Sequence, residues 1–138
     1  MPGFKLVKGY DDDDVLVVGS NSTIIVVGDV MFKVAGATYY TLGTVAAVAG
    51  QRKVICTKAA VVADDNVQGI QVHPGQLYEV ETANNSNTAH NGHRIVLTDA
   101  NTVNNTGTDD SAGVVTQEAI IGAVGDKKIT VKFIDSNG

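Results

Sequence analysis

The sequence is poor in several residue types, and each scarcity narrows the reading. It has a single cysteine, Cys56, no tryptophan and only two prolines among 138 residues. One cysteine closes no intrachain disulfide, so packing has to hold the fold together. Cys56 sits in KVICTKA, a strand-like setting with no neighbour that would activate a thiol, and is read as a buried, inert side chain. Charged residues are 18%, too few for charge-driven disorder. The net charge is −5, and the ten Lys and Arg residues are scattered along the chain. Neither nucleic acid nor an anionic membrane is therefore an expected partner. No apolar run approaches the roughly 18 residues that span a bilayer. The start, MPGFKLVKGYDDDD, lacks the apolar core of a signal peptide, so synthesis in a cytoplasm without standard export is expected. Sequons at Asn21, Asn84 and Asn104 follow from the Asn, Thr and Ser content and carry no further reading.

What the chain does contain is a series of short β-branched segments. These are VLVV at 15–18, TIIVV at 23–27, VMFKV at 30–34, TYYTL at 38–42, KVICT at 53–57, QGIQV at 68–72, LYEVE at 77–81, RIVLT at 94–98, VVTQ at 114–117 and ITVKFI at 129–134. Five of the ten are followed by Gly or Asp, and helix formers are scarce against 15 glycines. Val, Ile, Thr and Tyr fit a pleated, half-buried surface, and short strands with closely spaced turns indicate a barrel or sandwich. The expected fold is all-β: a small antiparallel β-barrel or sandwich with long Asn/Thr-rich loops and little helix. GTVAAVAG at 43–50 is compatible with a short helix. QEAIIGAVGD at 117–126 has near-helical spacing, but Gly122 interrupts it. Strand–turn–strand is preferred there, with Gly125, Asp126, Lys127 and Lys128 in the turn.

VVG occurs at 17–19 and at 26–28, which suits two neighbouring strands joined by SNS; nothing longer recurs, so no internal repeat is read. The soft tract DANTVNNTGTDDSAG, 99–113, is followed by further strands and is read as a long loop inside one domain. TANNSNTAHNGH, 82–93, is a second one, and the two are expected to project together. The division expected is 1–20, an N-terminal arm or edge strand with an acidic turn, and 21–138, a single β domain.

Few residues suggest chemistry. Asp11–Asp14 could attract a hard cation, but consecutive side chains of an extended segment point to opposite sides, and a solvated acidic turn is the plainer reading. His90 and His93 flank Asn91-Gly92, yet zinc needs three or four held ligands and neither a second cysteine nor a carboxylate cluster is near; no metal is expected. His73 stands apart. No nucleophile motif, phosphate loop or convincing carboxylate pair occurs: Glu79 and Glu81 read as solvent-facing residues of one strand, and Glu118 is isolated. The expectation is a non-enzymatic protein with no cofactor.

Four stretches nevertheless look familiar together: VVGDVMFKVAGATYYTLGTVAAVAG (26–50), VQGIQVHPGQLYEVET (67–82), RIVLTDANTVNNTGTDDSAGVV (94–115) and AIIGAVGDKKITVKFI (119–134). In this order of strands and turns the chain resembles the small β-rich head decoration (cement) proteins of tailed bacteriophages. The resemblance implies a structural virion protein on the capsid outer surface, a homo-oligomer with a trimer favoured, bound to the major capsid protein where its subunits meet. The acidic run at 11–14 is foreign to the family pattern. Two alternatives remain: a tail or fibre-associated β domain, and a carbohydrate-binding β-sandwich. For the contact surface the candidates are Phe4, Leu6 and Val7 as apolar anchors and Lys5 and Lys8 as cations. They belong either to an arm lying on a neighbour or to a first edge strand of the chain's own barrel.

Overall fold

The computed structural model describes residues 3–9, 15–20, 25–33, 36, 39–43, 52–58, 67–73, 75–105 and 113–134. Among these the chain is all-β, with one 3-10 turn at Thr88–His90. The strands are β1 (Lys5–Lys8), β2 (Val15–Ser20), β3 (Val30–Lys33), β4 (Tyr39–Leu42), β5 (Lys53–Lys58), β6 (Val67–Gln71), β7 (Leu77–Thr82), β8 (Arg94–Asp99), β9 (Thr102–Asn104), β10 (Val115–Ile120) and β11 (Lys128–Phe133). The first barrel closes in the order β2-β4-β3-β5-β6. The other strands form the sheet β1-β7-β11-β10-β8-β9, and an additional β7–β9 pairing closes five of them into a second ring. β1 is left as an extra edge strand on β7.

The two rings have the same topology, residue for residue. In each, the only parallel pair joins the first strand to the third: β2 to β4, and β7 to β9. Val18 pairs Val67 as Val80 pairs Ile129, and Met31 pairs Val54 as Ile95 pairs Val115. Each closing hairpin has a bulge at the same place, between Cys56 and Lys58 in one and between Gln117 and Ala119 in the other. The irregular hydrogen bonds repeat as well. Gly28 N donates to Cys56 O and Gly92 N to Gln117 O, while Cys56 N donates to Asp29 O and Gln117 N to His93 O. The chain is thus an internal duplication that the search for recurring letters misses. Among the matched positions named here, Val18/Val80, Val54/Val115 and Gly28/Gly92 keep the same residue.

β3 and β5 are buried over three and four consecutive residues because they face two interiors. Met31, Val54 and Cys56 pack with Ile25, Tyr40 and Val67 inside the first barrel. Val30, Phe32 and Ile55, on the opposite faces of those strands, join the core of the second sheet with Tyr78, Val80, Val131 and Phe133. Alternation across the pleat makes this possible, and a strand buried on both faces reads as a continuous apolar run. Each such Val, Ile or Phe contributes about 1.5–3 kcal/mol when fully buried. Polar ties also cross between the rings: Val30 N donates to Ala100 O at 2.8 Å, and Asn101 Nδ2 to Asp29 Oδ1 at 3.2 Å.

Several expectations change. TIIVV is not a strand over its described residues 25–27. Asp29 N donates to Val26 O and Asp29 Oδ2 accepts from Val26 N, so VVGD is a closed turn leaving Val26 and Val27 exposed. β2, carrying the first VVG, therefore neighbours β6 and β4 instead of a second VVG strand. The tract 99–113 is not all loop: Thr102–Asn104 is β9, paired on both sides, because Val103 supplies a fully buried side chain. The two Asn-rich segments do come together, through Asn84 N to Asn105 Oδ1 at 3.0 Å, Asn84 Nδ2 to Asn104 Oδ1 at 3.1 Å and Asn105 Nδ2 to Asn85 O at 3.1 Å. Strand–turn–strand holds at the last hairpin, with Lys128 already in β11. Within residues 1–20, β2 belongs to the first barrel and β1 to the second sheet. The helix considered at 43–50 and the tetrad Asp11–Asp14 lie outside the described residues, apart from Gly43.

Candidate docking surface

The segment expected to make contacts is an edge strand of the chain itself. β1 runs antiparallel to β7, with Lys5 opposite Glu79 and Leu6 opposite Tyr78, and a bulge follows before Lys8. Phe4 is 3% exposed. Its ring meets Tyr78 edge-on, with centroids 6.4 Å apart at 82°, and Phe133 at 5.1 Å and 44°. Tyr78 and Phe133 are themselves edge-to-face at 5.5 Å. Such pairs add about 0.5–1.5 kcal/mol beyond area burial. Phe4 N donates to Gly28 O at 2.8 Å, so the same residue pins the first barrel to the second. Phe4 thus serves the chain's own core, and Leu6 is half-buried against it. Lys5, Val7 and Lys8 are the members of the set that face outward.

Beside β1 lies an apolar groove of about 550 Å³ between the edge strand and the first barrel. Residues 3–7 form one wall, Val27 and Gly28 the rim opposite, and Ile55, Cys56, Thr57, Ile70 and Tyr78 the remainder. Val7 is 53%, Val26 42% and Val27 51% exposed. These are three of the four exposed large hydrophobic residues among the described ones, and Val7 and Val27 line the groove itself. Clustered exposed apolar side chains mark interaction sites, whereas scattered ones need no explanation. Reading the sequence misses Val26 and Val27 as exposed residues, because VVGD scans as strand; Ile55 and Ile70 also line the groove but are themselves buried. The available signal was the Gly-Asp pair after two valines, which is turn chemistry.

Cys56 stands in the groove wall at 1% exposure. Burial pushes its thiol pKa up and the charge of Asp29 adds to the rise, while a backbone hydrogen bond from Lys58 partly offsets both. The protonated thiol is the form the fold favours. As pH climbs, the unfolded chain ionises first, at about 8.5, so stability falls from there toward the folded pKa. At pH 8 the folded protein is expected to react with iodoacetamide far more slowly than the urea-unfolded chain. Equal rates in mass spectrometry would contradict the burial.

Elsewhere, Glu79 and Glu81 are half-exposed on β7 as expected, and Glu79 lies 3.7 Å from Lys128 Nζ. No group of three or more His, Cys, Asp or Glu side chains comes together among the described residues, and none of the described helical segments is long and apolar enough to cross a membrane. No protein family, curated protein or solved structure compared with the chain matches it.

Proposed function

We propose that the protein is a structural virion component. In this reading it binds the outer surface of a phage capsid and stabilises the contacts between major capsid subunits, as a homo-oligomer in which a trimer is favoured. The order of strands and turns, which resembles that of phage head decoration proteins, supports the reading. The observation that carries it is the edge strand β1, with Lys5, Val7 and Lys8 outward over an apolar groove rimmed by Val27. An edge of this kind offers unpaired backbone groups, an apolar floor and cations to an acidic or apolar neighbour. Two barrels packed on a shared core make a stiff module. A stiff module that spans a seam adds area that must be lost before the shell opens.

The test is co-sedimentation with capsids, from the virus that encodes the chain, assembled without it. Wild-type protein is expected to bind saturably. A Lys5→Gln/Val7→Glu/Lys8→Glu variant is expected to bind at least tenfold more weakly while melting within a few degrees of wild type, because all three side chains are exposed. Substitution is preferable to deleting residues 2–8, which would also remove Phe4 from the core. Failure of the wild type to sediment with capsids ends the decoration reading. Unchanged binding of the variant moves the contact away from β1.

A further inference from the structure

The internal duplication supplies a built-in comparison, and one strand edge differs between its halves. On one side of β7, Tyr78–Glu81 pair with β11. On the other side, Glu81 and Thr82 pair with β9, and β1 covers Leu77–Glu79. β2 repeats all of this except the last part. Val15–Val18 pair with β6 on one side, and Gly19 and Ser20 pair with β4 on the other. Because Val18 matches Val80, the stretch that β1 covers on β7 corresponds to Val15–Val17 on β2. Among the described residues, no strand pairs with that stretch on the β4 side.

An open edge is a template for another strand, because its N–H and C=O groups call for partners. The matched edge shows which strand the fold accepts there. β1 reads Lys-Leu-Val-Lys and runs antiparallel to β7. Carried over by register, Lys5 comes opposite Val17, Leu6 opposite Leu16 and Lys8 opposite Val15. Charge favours the same kind of strand on β2. Asp11–Asp14 run directly into Val15 in the sequence, so a strand antiparallel to β2 ends where an acidic run begins. Opposite charges across such a pair stabilise it, and the same carboxylates repel an acidic strand. A second copy of the chain lends its own β1 only by pulling Phe4 out of its core and breaking the Phe4 N to Gly28 O bond. The occupant that fits is therefore a strand of another protein.

We propose that the Val15–Val17 edge of the first barrel accepts one strand from a partner protein by β-strand addition. The partner segment is extended, antiparallel to β2, and basic-aliphatic-basic in pattern, as β1 is on β7. Main-chain hydrogen bonds supply the attraction, and the acidic run Asp11–Asp14 selects the sign of the incoming charge. The site uses a different edge from the outward face of β1 and is independent of the capsid reading.

Two NMR measurements on the full-length, untagged wild-type protein test this. In native-state hydrogen exchange, the amides of Val15–Val17 that point away from β6 are expected to exchange at least about tenfold faster than the matched amides of Leu77–Glu79, which β1 protects. The ¹⁵N-labelled chain is then titrated with a capped peptide, Gly-Phe-Lys-Leu-Val-Lys-Gly. Saturable shifts and slowed exchange are expected at Val15–Val17, with a Kd of about 1 mM or below. The same peptide with glutamate for both lysines should bind at least about tenfold more weakly. In an Asp11→Asn/Asp12→Asn/Asp13→Asn/Asp14→Asn variant that difference should shrink. Slow exchange of Val15–Val17 in the free monomer would overturn the site by assigning the edge to the chain itself. Protection that appears only as protein concentration rises would overturn it by assigning the edge to a second copy. Peptide shifts confined to Leu77–Glu79 or to the groove, no saturable shifts, or equal binding of the two peptides would each overturn it as well.

Discussion

Phe4→Ala is expected to lower the unfolding free energy by about 3–5 kcal/mol, the usual cost of emptying a buried aromatic site. The ring is 3% exposed and touches Tyr78 and Phe133, which also touch each other. Removing it leaves a cavity against two stiff side chains, and β1 then holds through its backbone pairing with β7, the bond from the residue 4 N–H to Gly28 O and the half-buried Leu6. Against a typical total of about 5–15 kcal/mol, that is enough to shift the urea midpoint far below wild type. Val7→Ala, on the same strand but exposed, should stay within about 0.5 kcal/mol. Equal, small losses for both would mean that the N-terminal segment is an arm with no part in the core.

The second large effect is a difference between two matched glycines. Gly28 and Gly92 occupy equivalent third positions of the two turns, with φ of 95° and 87°. That conformation costs an L side chain about 1–2 kcal/mol, so each Gly→Ala change should carry this penalty. Only Gly28 meets another backbone: an added Cβ would sit 2.9 Å from Gly3 Cα, whereas nothing lies within 4 Å of one at Gly92. Gly28→Ala must therefore push the N-terminal segment off the first barrel and strain the Phe4 N to Gly28 O bond. Its cost should exceed that of Gly92→Ala by about 1–3 kcal/mol, the range for overpacking. Chemical denaturation of the two variants side by side isolates the inter-barrel contact from the turn itself. Equal losses would show that Gly3 and Gly28 do not press on each other.

The β class was legible because β-branched runs and turn residues are local signals, and nine of the ten segments read as strands coincide with observed strands. VVGD failed because two valines weigh toward strand, while the hydrogen bonds of the Asp29 side chain, which close the turn, are invisible in a linear reading. TVN failed in the opposite direction: Asn and Thr around it read as loop, and only its place between β7 and β8 gives Val103 a core to enter. The duplication was hidden because pairing register is kept while side chains change, as in Cys56 against Gln117 or Tyr40 against Val103. Topology constrains backbone partners and burial and leaves residue identity free wherever volume can be rebalanced. Of the candidate contact residues, alternation sets Lys5 and Val7 on the face opposite Leu6, whereas Lys8 is exposed beyond the bulge that follows Leu6. That Phe4 turns inward depends on Tyr78 and Phe133, which arrive from β7 and β11.

The most direct measurement is a high-resolution map of the phage particle to which the proposal assigns this chain. The proposal predicts double-barrel density on the outer capsid surface, with β1 and the groove beside Val27 turned toward a major capsid subunit. Density for the chain in the tail, or on the capsid with β1 facing solvent and nothing in the groove, would contradict it.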